Sequence, residues 1–207
     1  MDSSIKLFSK KWFENYWFYY KHHTWAGIFV LFLLVYTLVE CMNAVAIDST
    51  VTYMGGTFFD QEITAEFEEA MSEVIDDTDG DGVKKVMFSS LLLTNELKSE
   101  QDMAMQQKAQ IEVAAGETYL YIMDEEIFNQ YCEQELFEDL AEYIDVSEGT
   151  FGVSVDELPE LKSLGFSDNT KAYVGIRVMM RGDEGKAKKI IMRDNAIKIL
   201  KNLHKKG

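Results

Sequence analysis

The chain has 207 residues, of which 36 are acidic and 20 are basic, and its formal net charge is −16 at pH 7. Binding to nucleic acid requires clustered lysines and arginines that neutralise phosphates, so this charge balance argues against a nucleic-acid partner. The two cysteines, Cys41 and Cys132, are too few for a disulfide framework.

The N-terminal region contains one long apolar stretch. Residues 25–39 carry no charged side chain and lie between Lys21 and Glu40. In a helix these two residues are about 28 Å apart, close to the ~30 Å thickness of a bilayer's hydrocarbon layer. Tryptophans and tyrosines cluster at the basic end, where amphipathic rings favour the headgroup level. We therefore predict a transmembrane helix at residues 25–47, preceded by a cytoplasmic or interfacial segment at residues 1–24.

The charges on the two sides of this helix predict its orientation. Three of the acidic and four of the basic residues precede position 48, which leaves 33 acidic and 16 basic residues after it. Lysine-rich flanks remain in the cytoplasm, so residues 48–207 are expected to form an extracytoplasmic domain. A cleaved signal peptide is the alternative, because residues 44–46 have the A-x-A pattern of a cleavage site. Glu40 and the long aromatic segment before the apolar run favour a retained signal anchor.

The outer domain begins with alternating strand and helix patterns. Residues 51–54 predict a strand that ends at two glycines. Apolar residues at three- and four-residue spacing then predict an amphipathic helix that Asp60 caps. Residues 86–93 form a nearly continuous apolar run, which is typical of a strand buried on both faces.

A second helix and a third strand follow. Ser99 and Asp102 have the spacing of a capping box, and Gly116 suits the position just after a helix. Residues 118–123 predict a strand, and Asp124 is expected to cap the next helix. Strands that alternate with helices of this length indicate βαβ units. We therefore predict an α/β domain with one mostly parallel sheet and flanking helices.

The last third of the domain has a less regular pattern. Residues 136–144 are spaced as a further amphipathic helical segment. A short strand is expected at residues 151–155 and a longer one at residues 173–180. Asp183 is expected to cap a long basic helix whose apolar side extends over residues 187–203.

The sequence contains no recognisable catalytic constellation. The three histidines stand at positions 22, 23 and 204, so neither a buried catalytic triad nor a histidine zinc site is expected in the domain. Phosphate-binding and nucleophile-elbow glycine motifs are also absent from the sequence. We therefore do not expect an enzyme.

The acidic turn at residues 76–82, DDTDGDG, is a candidate cation site. Asp77, Asp79 and Asp81 have the spacing of the first oxygen ligands of a calcium loop. The twelfth position of such a loop, where a glutamate normally supplies two oxygens, is Phe88. The turn is interpreted first as a solvated Asp-Gly turn, and bound calcium is the alternative.

The ends of the predicted strands form a candidate ligand site. Ligands of open parallel sheets bind beyond the carboxyl ends of the strands, and accessible N–H groups at a helix start suit an anionic or polar ligand. Each of the residues at these positions is also compatible with ordinary turn chemistry. They are Gly55, Gly56 and Thr57 after the first strand, Ser89 and Ser90 near the second, and Asp124 and Glu125 after the third.

Several of these features together form a recognisable pattern: a strand ending in Gly-Gly, a helix ending in Ala-Ala-Gly at residues 114–116, a strand ending in Asp124, and a Leu-x-Asp-Leu-like stretch at residues 137–140. Residues 49–155 resemble the N-terminal lobe of bacterial extracellular solute-binding proteins of the type II periplasmic-binding fold. Members of that family enclose a ligand between two lobes. The part of this chain after residue 155 is too short for a second lobe, so the resemblance implies one lobe that does not close over a solute.

These observations lead to one functional hypothesis. We expect a single-pass membrane protein, attached through residues 25–47, whose outer domain is a binding module. It would act through a small solute or through a transporter or envelope protein. The alternative is a structural or assembly subunit of a membrane complex with no small-molecule ligand.

Overall fold

The computed structural model describes residues 10–43, 45–94, 99–166 and 170–205. The chain divides into two compact units, Met1–Ala44 and Val45–Gly207. The first contains helix α1, Lys10–Asn43. Its segment Tyr16–Val39 is long and apolar enough to cross a membrane, and its side chains are not buried. The predicted N-terminal apolar helix is therefore confirmed, and it is compatible with an anchor or with a signal sequence.

The described residues of the second unit contain one sheet. Its strands are β1 (Ser49–Gly55), β2 (Val86–Leu92), β3 (Leu120–Asp124), β4 (Val153–Ser154) and β5 (Ala172–Ile176). They lie in the order β2-β1-β3-β5-β4. Strands β1, β2 and β3 are parallel, whereas β5 is antiparallel to both β3 and β4. The α/β prediction is confirmed, but the sheet is mixed instead of mostly parallel.

The reversal of β5 follows from the connection that precedes it. Between β4 and β5 lies helix α5, Pro159–Lys162, which has four residues and is about 6 Å long. A parallel strand requires a crossover that returns the chain along the full length of the sheet. Because α5 is too short to do this, the chain re-enters the sheet in the opposite direction, between β3 and β4.

The longer helices of the second unit are α2 (Gln61–Ser72), α3 (Glu100–Ala115), α4 (Glu125–Glu133) and α6 (Ala187–Lys205). They start and end largely where local side-chain chemistry predicts. Asp60 caps α2 by accepting a hydrogen bond from Glu62 N. Ser99 and Asp102 form both bonds of a capping box at α3, and Gly116 ends that helix with a left-handed φ of 64°. These predictions are confirmed.

Two other local predictions are wrong. Helix α6 begins at Ala187, and Asp183 does not cap it, because its Oδ1 instead lies 2.6 Å from Lys186 Nζ. Residues 136–144 contain only one short 3₁₀ turn, Leu140–Glu142. The backbone before that turn is extended, since Glu138 N donates to Ile176 O and Phe137 bridges to the chain beyond β5.

The sheet has an apolar layer on each face, because alternate residues of a strand point to opposite sides. On one face, Val51 and Tyr53 of β1 pack in the same core cluster as Ile199 and Leu200 of α6. On the other, Met54 packs in a second cluster with residues of β3, α3 and α4. Burial on both faces leaves the edges and the strand ends as the parts of the sheet that are open to other molecules.

A buried amide attaches α6 to the start of the domain. Asn195 is fully buried. Its Oδ1 accepts a hydrogen bond from Asp76 N at 2.8 Å, and its Nδ2 donates to Asp76 O at 2.8 Å and to Asp48 O at 3.4 Å. Asn195 therefore connects the last helix to the loop after α2 and to the residue before β1.

We expect Asn195→Ala to lower the free energy of unfolding by about 2 kcal/mol more than Asn202→Ala, because it leaves backbone groups without their partner. Asn202 is a matched control on the same helix, since its Nδ2 makes a weak contact with Met71 Sδ at 4.0 Å. Urea denaturation of the full chain in detergent micelles measures both values. Equal losses in the two variants would show that the Asn195 bonds contribute little.

Candidate functional site

The carboxyl ends of β1 and β3 lie side by side at one end of the sheet. The two strands pair in parallel, with Tyr53 opposite Ile122 and Met54 opposite Met123. This register brings together four of the seven residues predicted for a ligand site, namely Gly55, Gly56, Thr57 and Asp124. The remaining three lie elsewhere on the strands and helices.

The Asp124 carboxylate is the centre of this strand-end network. Its Oδ1 accepts a hydrogen bond from Tyr53 Oη at 2.8 Å, and its Oδ2 accepts one from Gly56 N at 2.9 Å. Tyr53 Oη in turn accepts a hydrogen bond from Thr57 N at 3.0 Å. The N–H groups at the strand end are therefore bonded within the protein. The carboxylate of Asp124 occupies the place where an anionic ligand was expected.

This network also corrects the predicted role of Asp124 in helix α4. Asp124 immediately precedes the helix, but its side chain makes no capping hydrogen bond. The carboxylate turns instead toward Tyr53 and Gly56, which lie across the parallel pair. The Asp124 carboxylate thus accepts hydrogen bonds from a tyrosine hydroxyl and a backbone N–H of β1 and the loop after it, and not from the N–H groups of α4.

Tyr53 is held as a neutral phenol. Burial raises its pKa well above the ordinary value of 10.0, because the phenolate is disfavoured away from water, and the neighbouring Asp124 adds to this rise. The hydroxyl therefore keeps its proton at physiological pH and donates a hydrogen bond to Asp124. A neutral phenol is the form that donates a hydrogen bond to a carboxylate at this strand end.

Gly55 is required because Asp124 and Tyr53 approach its Cα. A Cβ at position 55 would lie 2.2 Å from Tyr53 Oη and 2.4 Å from Asp124 Cγ. A Cβ at Gly56 would lie 3.9 Å from Asp124 Oδ2, which is ordinary van der Waals contact. The first glycine of the Gly-Gly pair therefore has a packing role that the second does not have.

Gly55→Ala is expected to reduce the free energy of unfolding by at least about 2 kcal/mol, because either Tyr53 or Asp124 must move from a packed position. Gly56→Ala, the matched control, is expected to change it by less than about 1 kcal/mol. Urea denaturation of the full chain followed by near-ultraviolet circular dichroism compares the two. A Gly56→Ala variant that is as unstable as Gly55→Ala would contradict this account.

An aromatic cluster lies beside the strand-end network, and it was not predicted from the sequence. Phe59 contacts Tyr53, Phe88 and Phe166 edge to face, with ring centroids 4.8, 5.2 and 5.0 Å apart. These rings come from four separate parts of the chain. The sequence offers no periodicity that links them, and only the register of the folded strands brings them together.

The other predicted ligand residues do not join the network. Ser89 and Ser90 lie inside β2, opposite Thr52 and Tyr53, instead of beyond the end of the strand. Glu125 begins α4, and its Oε2 lies 3.7 Å from Lys171 Nζ, just before β5. The residues predicted from the second strand and from the start of α4 therefore point to other parts of the surface.

The second unit has two grooves that do not include the Asp124 carboxylate, although the second is lined by Phe59, which packs on Tyr53. One, of about 260 Å³, lies between α3 and α4, and its polar lining includes Gln106, Gln110 and Gln130. The other, of about 540 Å³, extends along α2 and the outer edge of β2. The first is smaller than most sites for drug-sized ligands, and both are open to solvent.

The acidic turn is held by hydrogen bonds from its own backbone. Asp77 Oδ1 accepts from Gly80 N at 2.6 Å, and Asp77 Oδ2 accepts from Gly82 N at 2.8 Å. Both glycines have positive φ values, 80° and 83°, which glycine adopts without steric cost. Hydrogen bonds from Gly82 and Gly80 hold the pKa of Asp77 below its ordinary value of 3.8.

Carboxylate oxygens of Asp48, Asp77 and Asp79 lie within 4.8 Å of one another. The group contains Asp48 in place of the predicted Asp81, whose Oδ1 accepts a hydrogen bond from Val83 N. Asp48 is buried, and its two oxygens accept hydrogen bonds from Thr78 N at 2.7 Å and Lys85 N at 2.8 Å. Three carboxylates are a partial ligand set for calcium, which takes six to eight oxygens.

We expect calcium to leave the melting temperature of the protein unchanged, because backbone N–H groups already bond to each of these carboxylates, including Asp79, whose Oδ1 accepts from Asp81 N. A calorimetric scan of the full chain with and without millimolar calcium checks this. A rise in melting temperature would contradict it. If Asp79→Asn then abolished the rise while Asp81→Asn kept it, calcium would be assigned to the group of Asp48, Asp77 and Asp79.

Comparison of the chain with protein-family models, with curated proteins and with solved structures gives no match. The strand-end network joins β1 to β3 through an internal carboxylate, and the grooves present amides, apolar side chains and backbone groups at the surface.

Proposed function

We propose that this protein is a single-pass, membrane-anchored binding module whose extracytoplasmic domain acts on a protein partner, such as a transporter or another envelope protein. The observation that carries this proposal is the occupied strand end. The polar groups that would have bound a small ligand there are bonded to Asp124 instead. The resemblance to a single solute-binding lobe agrees with this choice, because one lobe does not enclose a solute.

The apolar helix supports attachment to the membrane. Tyr16–Val39 is exposed along its length, and a lipid bilayer is an environment in which such a surface is stable. Lysines before the helix and the acidic excess after it support an N-terminus in the cytoplasm. Tethering raises the effective concentration of the domain for a partner in the same membrane.

Capture of a small solute is the second candidate, and the groove between α3 and α4 favours it. Its three glutamines offer both donors and acceptors to a polar ligand. A structural or assembly subunit without any small ligand is the third. These candidates differ in what the protein binds, so binding experiments separate them.

Crosslinking in the membrane followed by purification of the full chain tests the proposal. We expect one membrane or envelope protein to co-purify with the wild type, and no shift in melting temperature with sugars, amino acids or short peptides. A solute that raises the melting temperature, without any co-purifying protein, would favour the solute-binding candidate. A wild type that binds neither class would overturn the proposed binding function.

The topology requires its own labelling experiment. Cys132 is half-buried, and burial raises the pKa of its thiol, so its reaction with maleimides is slow. Ser147 is exposed and is a better reporter position. In a background with Cys41→Ala and Cys132→Ser, we expect a membrane-impermeant maleimide to label Ser147→Cys in intact spheroplasts.

Glu14→Cys in the same background is the matched control, because residue 14 is exposed on the other side of the apolar segment. It should be labelled only after lysis. The opposite pattern would show that the domain lies in the cytoplasm. Loss of residues 1–46 from the mature protein, seen by mass spectrometry, would instead establish a cleaved signal peptide.

A further inference from the structure

Strand β2 is an edge strand, and α2 covers the first half of its outer edge. Val86 N donates a hydrogen bond to Ser72 Oγ at 2.9 Å, and Phe88 N donates one to Glu68 Oε1 at 2.7 Å. Both acceptors are side chains of α2. The helix therefore satisfies the outward backbone N–H groups at the start of this edge.

The second half of the same edge is open among the described residues. The N–H and C=O groups of alternate residues in a strand point to the same side, so Ser90 and Leu92 share the outward direction of Phe88. Leu93 N returns to Gly55 O at 2.9 Å, which shows that β2 stays paired with β1 up to its end. Ser90 is exposed and Leu92 is half-buried, and no α2 side chain is bonded to either.

A groove follows this open edge. One wall is the side of α2 formed by Gln61, Thr64, Ala65 and Glu68, and the other is the outer edge of β2. Phe58 borders the groove and is 80% exposed, whereas its neighbour Phe59 is packed in the aromatic cluster. Unpaired backbone groups next to an exposed aromatic ring are the features to which an added strand binds.

The charge of this surface favours a basic occupant. Glu68 of α2 lines the groove. The other three glutamates of this helix are exposed on its surface outside the groove lining, and the helix contains neither lysine nor arginine. Pairing of two copies through this edge would bring two such helices together, and like charges oppose association. A segment that carries lysine or arginine is attracted by the same surface.

We propose that the outer edge of β2 at Ser90 and Leu92 accepts an extended, basic segment of a partner protein as an additional strand. The segment's backbone pairs with the open N–H and C=O groups. The side chains of the segment that face the groove lie beside both Phe58 and Glu68. Lysine or arginine suits these positions, because its apolar stem packs on the ring while its charged end meets the acidic helix. The side chains between them point to the opposite face of the sheet. This inference rests on the proposed function, and it names the surface and the class of partner.

The test uses the full chain in zwitterionic detergent and an acetylated, amidated octapeptide of alternating lysine and valine. The matched peptide replaces each lysine with glutamate. We expect the lysine peptide alone to bind, and to slow hydrogen exchange at the Ser90 and Leu92 amides. The amides of Val86 and Phe88 serve as internal references, because they are already bonded to α2.

Two variants of Ser90 separate strand addition from other modes of binding. Ser90→Pro removes the outward N–H, and proline is tolerated on edge strands. Ser90→Thr keeps the N–H and is the control. We expect the proline variant to bind the lysine peptide at least about tenfold more weakly, and the threonine variant to bind within about twofold of the wild type.

If Ser90→Pro does not fold, substitutions of Thr64 on the facing wall provide the test. Thr64→Lys is expected to weaken binding of the lysine peptide several-fold, and Thr64→Glu is expected to strengthen it, with both effects reduced by salt. Equal affinities of these two variants would overturn the charge argument.

Other results would overturn the proposal itself. The first is that the lysine peptide does not bind at concentrations up to about 1 mM. The second is that it binds without slowing hydrogen exchange at the Ser90 and Leu92 amides. The third is that the proline and threonine variants bind it with equal affinity. A dimer of this chain that Ser90→Pro dissociates would assign the edge to a second copy instead.

The same variants distinguish failure of this inference from failure of the proposed function. A membrane partner that co-purifies equally with the wild type and with Ser90→Pro leaves the proposed function in place and overturns the β2 edge as its site. A wild type that co-purifies with no protein overturns the proposed function, and this inference with it.

Discussion

The second unit depends on one carboxylate, that of Asp124, at the place where two parallel strands end. Where parallel strands end, backbone N–H groups no longer have a partner in the neighbouring strand. In this sheet a buried tyrosine hydroxyl at the same place also needs a partner. Asp124 accepts hydrogen bonds from Tyr53 Oη and Gly56 N, and so satisfies both. Because the carboxylate lies almost against the Cα of Gly55, the interaction also determines which residue is possible there. A site that is open in a ligand-binding sheet is thereby converted into part of the fold.

Because Asp124 fills the strand ends, binding is expected at another part of the sheet. With the strand ends satisfied from within, open backbone groups of the described residues are found at Ser90 and Leu92, along the side of the sheet. Hydrogen bonding at a strand end suits a compact polar ligand, whereas a strand edge suits a polypeptide. The acidic residues of α2 beside the groove add a preference for a positively charged polypeptide. These features are the basis for proposing recognition of a protein in place of capture of a solute.

Sequence reasoning succeeded where one interaction within a few residues decides the structure. The capping box of Ser99 and Asp102 and the left-handed turn at Gly116 are such cases. It failed where a distant group competes for the same side chain. Asp124 is a reasonable cap for α4, but Tyr53, 71 positions earlier, is its donor. Asp48 joins the acidic turn only after β1 and the loop fold together, and the reversal of β5 depends on the length of α5, a helix of four residues.

The position of β5 in the sheet has a consequence for the order of folding. Residues 172–176 occupy the place between β3 and β4, and α6 supplies Ile199 and Leu200 to the core that contains Val51 of β1. Synthesis proceeds from the N-terminus, so the earlier strands are complete while one side of β3 still lacks its partner. Pairings between residues so far apart in the chain also form slowly. The domain therefore reaches its native state only after β5 and α6 have been made, and the growing chain remains open to chaperones and proteases until then.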